Sequence, residues 1–216
     1  MSFIVAIDGP AASGKGTLAR RLAERFGLAH LDTGKLYRAT ALLALDDGAN
    51  PADAAAAEAA ARRVTSTLLA DPRLLGEKVA GASSVVAAIP EVRAALLAFQ
   101  RDFAAHPPAP AKGAVLDGRD IGTAVCPDAT VKLFVTASPR ARAVRRLKEL
   151  RQRGVVAIYD RVLQDMKERD ARDSRRRAAP LAAAPDAVTI DTTTLGPDQV
   201  FETASDLIAR ALAAQG

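Results

Sequence analysis

The residues with the clearest chemistry are GPAASGKGT, from Gly9 to Thr17, which follow an apolar segment and precede a helical pattern. The Gly-x4-Gly-Lys spacing allows tight turns, so that successive backbone N–H groups can face an anion. Lys15 can then reach the terminal phosphates, and the Thr17 hydroxyl is the candidate Mg²⁺ ligand, since Gly16 occupies the usual Ser/Thr position. The pattern predicts a nucleoside triphosphate site; a strand–helix turn without a ligand is the alternative.

A second charged group lies in VLDGRDIGT, where Asp117, Arg119 and Asp120 fall within four residues after an apolar run. An Asp-Gly pair is also a common hairpin-turn signal. The preceding residues fit a buried parallel strand, however, and ligands bind at the carboxyl ends of such strands. We therefore expect Asp117 and Gly118 to form the turn that leaves the strand, and Arg119 and Asp120 to face a ligand.

Two further segments offer groups that recognise phosphate. In LDTGKLYR, Thr33 can form hydrogen bonds at a turn and Arg38 offers a bidentate fork; Asp32-Thr33 could instead cap the following helix. Further on, Arg169, Arg172, Asp173 and Arg176 recur at i, i+3, i+4 and i+7, which places them on one helix face. A solvated helix with salt bridges is the alternative interpretation of that charge run.

The elements that must position these groups alternate along the chain. Nearly continuous apolar segments predict parallel strands covered on both faces, and helical patterns separate them. Such alternation predicts a doubly wound α/β sheet. The expected strands are Phe3–Ile7, Leu28–Leu31, Ala114–Leu116, Val131–Val135 and Ala187–Ile190.

Residues 48–112 interrupt this alternation and predict an inserted helical subdomain. Asn50-Pro51 fits an N-cap and a first-turn proline, opening an Ala-rich helix to about Leu69. A second helix is expected from Pro90, and the prolines of residues 107–110 form a linker back to the core.

Composition limits the classes of protein that remain. The single cysteine, Cys126, excludes an intramolecular disulfide and a multi-cysteine zinc site, and the sequence has no run of about 18 apolar residues that could span a bilayer. We expect a cytoplasmic protein. The only asparagine is Asn50, followed by Pro51, so the base-reading Asn-Lys-x-Asp motif of GTPases is absent.

The basic charge is concentrated in one region. Residues 140–177 hold 14 Lys/Arg and 6 Asp/Glu, a local net charge of +8. This favours an anion held in one place, although an RNA-binding surface gated by a nucleotide is the alternative. Few aromatic side chains lie near the region, Phe134 and Tyr159 among them, so there are few platforms on which bases could stack.

Five segments, spaced in order over nearly the whole chain, resemble bacterial cytidylate kinases: DGPAASGKGT, LDTGKLYR, VLDGRDIGT, KERDARDSRRRAAPL and DAVTIDTTTL. The resemblance implies the nucleoside monophosphate kinase fold, with a five-stranded parallel sheet, a monophosphate-binding insertion and a lid. The implied domains are a P-loop core of residues 1–32 and 113–216, an insertion of residues 33–112 and a lid of residues 150–165. A kinase acting on UMP, AMP or shikimate is the alternative.

The resemblance also implies roles for individual residues. The implied catalytic groups are Lys15, Arg38, Arg119 and Arg169, with Mg²⁺ as cofactor. The ATP phosphates would be bound by Gly9, Pro10, Ala11, Ala12, Ser13, Gly14, Lys15, Gly16 and Thr17. CMP or dCMP would be bound by Thr33, Arg38, Ser84, Arg93, Arg119, Asp120, Arg169, Asp173 and Arg176.

Within that acceptor set, Ser84, Arg93, Asp120 and Arg176 would surround the cytosine. Arg169 and Asp173 would face the ribose, while Arg38 and Arg119 would hold the CMP phosphate. No general base is expected, since the attacking phosphate oxygen is already anionic. We expect a monomer that binds neither nucleic acid nor membrane.

The chain departs from the family pattern at three places. Lys35 stands where a small or apolar residue is usual, and Ala12 replaces a frequent glycine. Residues 64–82 are also too short for the small β-sheet that many members carry, so the architecture expected for the insertion is open at that point.

Overall fold

The computed structural model describes residues 2–176 and 178–214. Five strands form one parallel sheet in the order β2-β3-β1-β4-β5, which confirms the predicted doubly wound α/β architecture. The strands are β1 (Phe3–Asp8), β2 (Ala29–Asp32), β3 (Gly113–Gly118), β4 (Val131–Thr136) and β5 (Val188–Asp191). The helices are α1 (Lys15–Phe26), α2 (Thr33–Asp46), α3 (Ala54–Arg62), α4 (Glu77–Val86), α5 (Pro90–Ala105), α6 (Pro139–Gln152), α7 (Tyr159–Arg175) and α8 (Pro197–Ala213).

Alternate side chains of the central strand pack on opposite faces of the sheet, as the period of two in a strand requires. Val5 and Ile7 lie in the cluster formed with α1 and α8, whereas Ala6 lies in the cluster formed with the helices between β2 and β3. All three side chains are fully buried. The near-continuous apolar run of β1 therefore reflects a strand covered on both sides.

The first helix follows its sequence pattern closely. Leu18 and Leu22 are buried against the sheet, and Phe26 packs at the edge of the same cluster. Gly27 ends the helix at φ +64°, a left-handed conformation that glycine adopts without steric cost.

The insertion is helical, but its first helix is shorter than predicted. Asp53, rather than Asn50, caps α3 by accepting a hydrogen bond from the Ala56 N–H, and the helix ends at Arg62 instead of near Leu69. Two short 3₁₀ turns, Thr67–Ala70 and Pro72–Leu75, follow it. The high helix propensity of the alanines does not carry the helix through residues 64–67, which include β-branched side chains.

Acidic residues mark the carboxyl ends of three adjacent strands. Asp8 of β1 is in register with Gly118 of β3, and Asp32 of β2 is in register with Asp117. Asp117 and Gly118 thus belong to the strand, so the prediction that they form the turn leaving it was wrong. The backbone leaves the strand after Gly118 and turns through a π-helical segment at Ile121–Val125.

Among the described helices, none alone has both the length and the apolar composition to cross a membrane. Taken together, α4 and α5 meet both criteria, but the two helices are bent by 100° relative to each other.

Candidate active site

The loop between β1 and α1 is shaped to hold an anion. Gly9, Ala12 and Gly14 all have positive φ, of 150°, 57° and 96°, and the α1 N-terminus has no side-chain cap. Its first N–H donors are therefore free of a capping side chain, and the helix dipole adds partial positive charge there. The buried Ser13 Oγ also has no hydrogen-bond partner among the described residues.

The same loop is braced from behind by α6 and by the segment after β5. Arg142 Nη1 donates to the Ala11 carbonyl at 3.2 Å, and Thr192 Oγ1 donates to the Ser13 carbonyl at 3.0 Å. Arg142 is itself buried and paired with Asp170. These contacts hold two carbonyls of the loop in hydrogen bonds with other elements of the protein.

Lys15 lies in a cleft of about 610 Å³ together with three of the predicted arginines, Arg38, Arg119 and Arg169. Burial lowers the pKa of Lys15 to about 8, and the charge of Arg119 acts in the same direction. Burial also lowers the pKa of Arg169 to about 10, again with a contribution from Arg119. Several cationic side chains therefore lie close together in one cleft, and a bound polyanion would neutralise their charge.

The cationic cleft has an acidic floor at the ends of β2 and β3. Burial raises the pKa of Asp32, and the neighbouring carboxylate of Asp117 raises it further. Asp117 Oδ1 lies 2.8 Å from His30 Nε2, while Thr33 Oγ1 donates to the Asp117 carbonyl at 2.8 Å. Asp32 occupies the N-cap position of α2 but makes no side-chain cap hydrogen bond, so the capping alternative is not supported.

Several predicted acceptor-binding residues pair with one another, and of the four residues in these pairs only Arg119 lines the cleft. Arg93 Nη2 donates to Asp120 Oδ2, with both side chains largely buried, and the Arg93 guanidinium lies 5.5 Å from the Tyr37 ring centroid. Burial raises the pKa of Asp120 although Arg93 and Arg176 oppose the shift. Arg119 Nε donates to Asp173 Oδ2 at 3.0 Å.

Unsatisfied donors accompany these ion pairs. Arg169 Nε and Arg176 Nη2 are buried and have no hydrogen-bond partner among the described residues. Burial alone would raise the pKa of Asp173, but Arg119, Arg169 and Arg176 together lower it. The helix α7 ends at Arg175, so Arg176 lies one residue beyond it. The prediction that Arg176 shares a helix face with Arg169 was therefore wrong.

Ser84 and Thr33 differ in their access to the cleft. Ser84 projects from α4 into the cleft lining, as expected of an acceptor contact. Thr33 is buried and tied to β3 through its hydroxyl, and it is absent from that lining.

The structure does not place Thr17 where a metal ligand beside Lys15 would lie. Its side chain is exposed and lines a second cavity of about 370 Å³, beside Arg21, Arg145 and Leu195. The acidic floor lies in the first cavity, below Gly16, where an added Cβ would come 3.7 Å from Asp117 Oδ2. The expectation that Thr17 binds the metal is therefore not supported by its position.

Sequence reasoning missed several residues at this site. Arg146 of α6 and Glu77 of α4 pair across the cleft. Arg172 of α7, named in the charge run but not among the predicted CMP-binding residues, lines the cleft as well. The basic character of residues 140–177 was a signal for the arginines collectively, but it did not single out Arg146. Asp8 had no local signal: its carboxylate accepts from the Ile121 and Gly122 N–H groups, each at 2.8 Å.

The departures from the family pattern have local explanations. Lys35 Nζ donates to the Leu69 carbonyl at 3.2 Å and so supports the first 3₁₀ turn of the insertion. Ala12 adopts the left-handed conformation in which a glycine is more favourable. Cys126 is buried, and burial raises the pKa of its thiol to about 11, so it remains protonated at neutral pH.

Comparison with known proteins identifies close relatives. The protein-family model described as Cytidylate kinase matches residues 5–210. A cytidylate kinase of Rhodospirillum rubrum is 61% identical over 96% of this chain and 97% of its own length. Those of Paramagnetospirillum magneticum and Granulibacter bethesdensis are 59% and 55% identical, and each match covers 96% or 97% of this chain and 98% of the relative.

Solved structures support the fold. An uncharacterised protein from Eubacterium ventriosum superposes with a TM-score of 0.54 at 16% identity, covering 99% of each chain. A gluconokinase from Sinorhizobium meliloti gives a TM-score of 0.50 at 14% identity, covering 100% of this chain and 99% of that one. At such identities the likeness concerns the fold alone.

Proposed function

Since this chain belongs to the cytidylate kinase family, we propose that it transfers the γ-phosphoryl group of ATP to CMP or dCMP, giving ADP and CDP or dCDP. It is an ATP-dependent nucleoside monophosphate kinase, a phosphotransferase. We assign this activity to one cleft at the end of the sheet. The observation that supports the assignment is that Lys15 and the arginines Arg38, Arg119 and Arg169 all line this cleft.

The phosphates of ATP would be held by the loop Gly9–Thr17. Backbone N–H groups at the α1 N-terminus supply donors without a capping competitor, and Lys15 supplies the charge that reaches the transferred group. The second cavity, lined by Arg145, Thr192 and Leu195, adjoins this loop and offers space for the rest of the nucleotide. Thr17, which lines that cavity close to the loop, would contact the ATP phosphates rather than the metal.

The acceptor would lie between the insertion and α7. Arg38 and Arg119 are proposed to hold its phosphate, because a guanidinium pairs with phosphate oxygens bidentately. Arg38 Nη1 donates at present to the Leu74 carbonyl, and Arg119 is paired with Asp173. An incoming phosphate would take over Arg119, which frees Asp173 to accept from a ribose hydroxyl.

The base would be read by carboxylate and guanidinium groups at the inner end of the site. Asp120, proposed to accept from the exocyclic amine of cytosine, is held by Arg93, and Arg93 is supported by the ring of Tyr37. The unpartnered Nη2 of Arg176 and Nε of Arg169 are donors that a nucleotide could satisfy. Thr33 is proposed to contribute through the position of the β3 end rather than by direct exposure.

The reaction requires positioning and charge neutralisation more than proton transfer. The acceptor phosphate oxygen is anionic at neutral pH, so no general base is needed, and His30 instead pairs with Asp117. The arginines and Lys15 would bring two polyanions together, which otherwise repel, and would stabilise the charge spread over the transferred phosphoryl group.

The acidic floor fits a hydrated Mg²⁺. This ion typically takes one or two carboxylates together with substrate phosphates and keeps several waters. Asp32 and Asp117 supply two carboxylates. Burial is the main cause of the raised pKa of Asp32, and the charge of Asp117 raises it further, so a cation held by these two residues would relieve their repulsion. The described residues contain no cluster of three or more His, Cys, Asp or Glu side chains able to hold a metal. When bound, Mg²⁺ neutralises phosphate charge and orients the triphosphate.

A lid of residues 150–165 would exclude water by closing over the site. The site would lie between the core, residues 1–32 and 113–216, and the insertion, residues 33–112. Gly154, with φ +74°, lies between α6 and α7 and is suited to a change in backbone direction. Val156 is 96% exposed and Ile158 61% exposed, so the lid carries apolar surface that closure could bury.

We also propose a cytoplasmic monomer that binds neither nucleic acid nor membrane. Arg142 of the basic region is buried and paired with Asp170, and Arg169 lines the cleft with its Nε buried, so neither is presented to an external RNA. We expect that the protein at micromolar concentration and low salt does not shift the mobility of a labelled RNA. Binding of RNA phosphates would require exposed Lys and Arg side chains.

The deciding experiment is steady-state ADP production with ATP and Mg²⁺, comparing CMP, dCMP, UMP and AMP. We expect the highest kcat/KM with CMP or dCMP. An equal or higher value with UMP or AMP would overturn the proposed acceptor, and the loss of all turnover on adding a chelator would support the metal requirement.

A further inference from the structure

A hydrogen bond joins α7 to α4 of the insertion. Arg172 Nε of α7 donates to Ser84 Oγ of α4 at 3.1 Å, and both residues line the cleft. Ser84 is 3% exposed, whereas Arg172 is open to solvent on its other side. The contact links residues 88 positions apart in the chain.

The chemistry of the two groups fixes the direction of this bond. A guanidinium has five N–H donors and no acceptor, so Ser84 Oγ must accept from Arg172 through a lone pair. The hydroxyl keeps its O–H and a second lone pair, but a hydrogen bond from a charged guanidinium polarises the group, which makes it a better donor and a poorer acceptor for a second partner. Among the described residues Ser84 Oγ makes no second hydrogen bond, while its neighbour Ser83 donates to the Ala80 carbonyl at 2.8 Å. The Ser84 hydroxyl hydrogen is thus available to a ligand in the cleft.

We propose that Arg172 is a positioning residue that makes Ser84 a hydrogen-bond donor toward the acceptor base, and that it thereby favours cytosine over uracil. The inference rests on the proposed function, in which Ser84 lies beside the base. Cytosine presents an acceptor at N3 and a donor at N4, and uracil presents the opposite pair. A donating Ser84 and the accepting carboxylate of Asp120, both assigned to the base in the proposed function, match cytosine at both positions and mismatch uracil at both.

Removing the guanidinium would release this constraint. Without Arg172 the Ser84 hydroxyl could rotate and accept from the uracil N3–H as readily as it donates to cytosine N3. We expect Arg172→Met to lower the ratio of kcat/KM for CMP over UMP roughly tenfold, the size of one hydrogen bond between a polar group and a mismatched partner. The change should come mainly through KM, since the phosphates are held elsewhere.

Two further variants distinguish this role from a structural one. Arg172→Lys should restore part of the CMP/UMP ratio, because an ammonium group also only donates. Arg175→Met is the matched control: it removes an exposed arginine from the same helix, outside the cleft lining, and should leave the ratio unchanged.

A double-mutant cycle decides whether Arg172 acts through Ser84. Ser84→Ala should itself lower the ratio, and Arg172→Met should then cause no further decrease. Equal losses for CMP and UMP that persist in the Ser84→Ala background would show that Arg172 holds a phosphate, and would overturn the proposal. Should Arg172→Met fail to fold, the Lys variant and Ser84→Ala still test it, since an unchanged ratio in Ser84→Ala refutes it. A wild-type protein that does not prefer CMP would instead refute the proposed function.

Discussion

Replacing Lys15 with methionine should raise the stability of the ligand-free protein while it removes activity. The structure brings this ammonium beside Arg119 and Arg169 in a partly desolvated cleft, and its pKa falls from 10.5 to about 8. A lowered pKa means that the protonated form is held at a cost in the folded state. Each pKa unit corresponds to about 1.4 kcal/mol, so the cost at pH 7 is about 2–3 kcal/mol after allowing for the remaining solvent contact.

The sign of the pH dependence follows from the same shift. Between pH 8 and 10.5 the unfolded chain keeps the Lys15 proton that the folded protein has released, so the stability of the wild type rises with pH in that window. The Lys15→Met variant lacks this contribution. Its stability advantage at pH 7 should therefore shrink above pH 8 and vanish near pH 10.5. Titrating groups that do not interact with Lys15 cancel in the difference, whereas Asp8 and Asp32, whose pKa values Lys15 lowers, do not.

The assay is urea unfolding of both proteins without nucleotide at several pH values from about 7 to 10, with ADP production measured in parallel. Turnover should fall by orders of magnitude, because Lys15 is proposed to stabilise the transferred phosphoryl group. Lys112→Met, at an exposed position, is the control and should change neither stability nor turnover appreciably. A variant less stable than the wild type at pH 7, or a difference that does not depend on pH, would refute this account of the cleft.

Three further substitutions test separate parts of the site. Asp120→Ala should weaken CMP binding while leaving ATP binding intact, since its proposed partner is the acceptor base; equal losses in titrations of both nucleotides would contradict that role. Ala12→Gly should raise the unfolding free energy by about 0.5–1 kcal/mol, because the residue sits at φ 57°, and a lower melting temperature would show that its methyl contacts matter more. Gly118→Ala should lower turnover, because its Cβ would lie 2.6 Å from Thr33 Oγ1 and force the β3 end to move; unchanged kinetics would mean that the end is pliable.

The ion pairs within the site have a consequence for the proposed acceptor binding. Arg119 pairs with Asp173, and Arg93 pairs with Asp120. Under the proposed assignment of these residues, CMP would replace part of these contacts, so the net affinity would reflect a difference between two sets of hydrogen bonds. The pairs also keep the buried charges compensated.

Features that depend on neighbouring residues in the chain could be predicted from the sequence alone. Glycine spacing placed the loop Gly9–Thr17 between a strand and a helix, and the apolar segments located all five strands to within a few residues. The order of the motifs was sufficient to indicate the family. Local spacing works here because tight turns, strand burial and helix faces are set within a few residues.

Which side chains meet, by contrast, depends on how the distant elements pack. The pairing of Arg119 with Asp173 spans 54 residues, and the bond from Arg172 to Ser84 spans 88. A basic run in the sequence cannot specify such partners, because each arginine can reach several carboxylates until the sheet and helices fix their separation. The orientation of Thr17 toward the second cavity, away from the acidic floor, was set in the same way by the direction in which α1 leaves its loop.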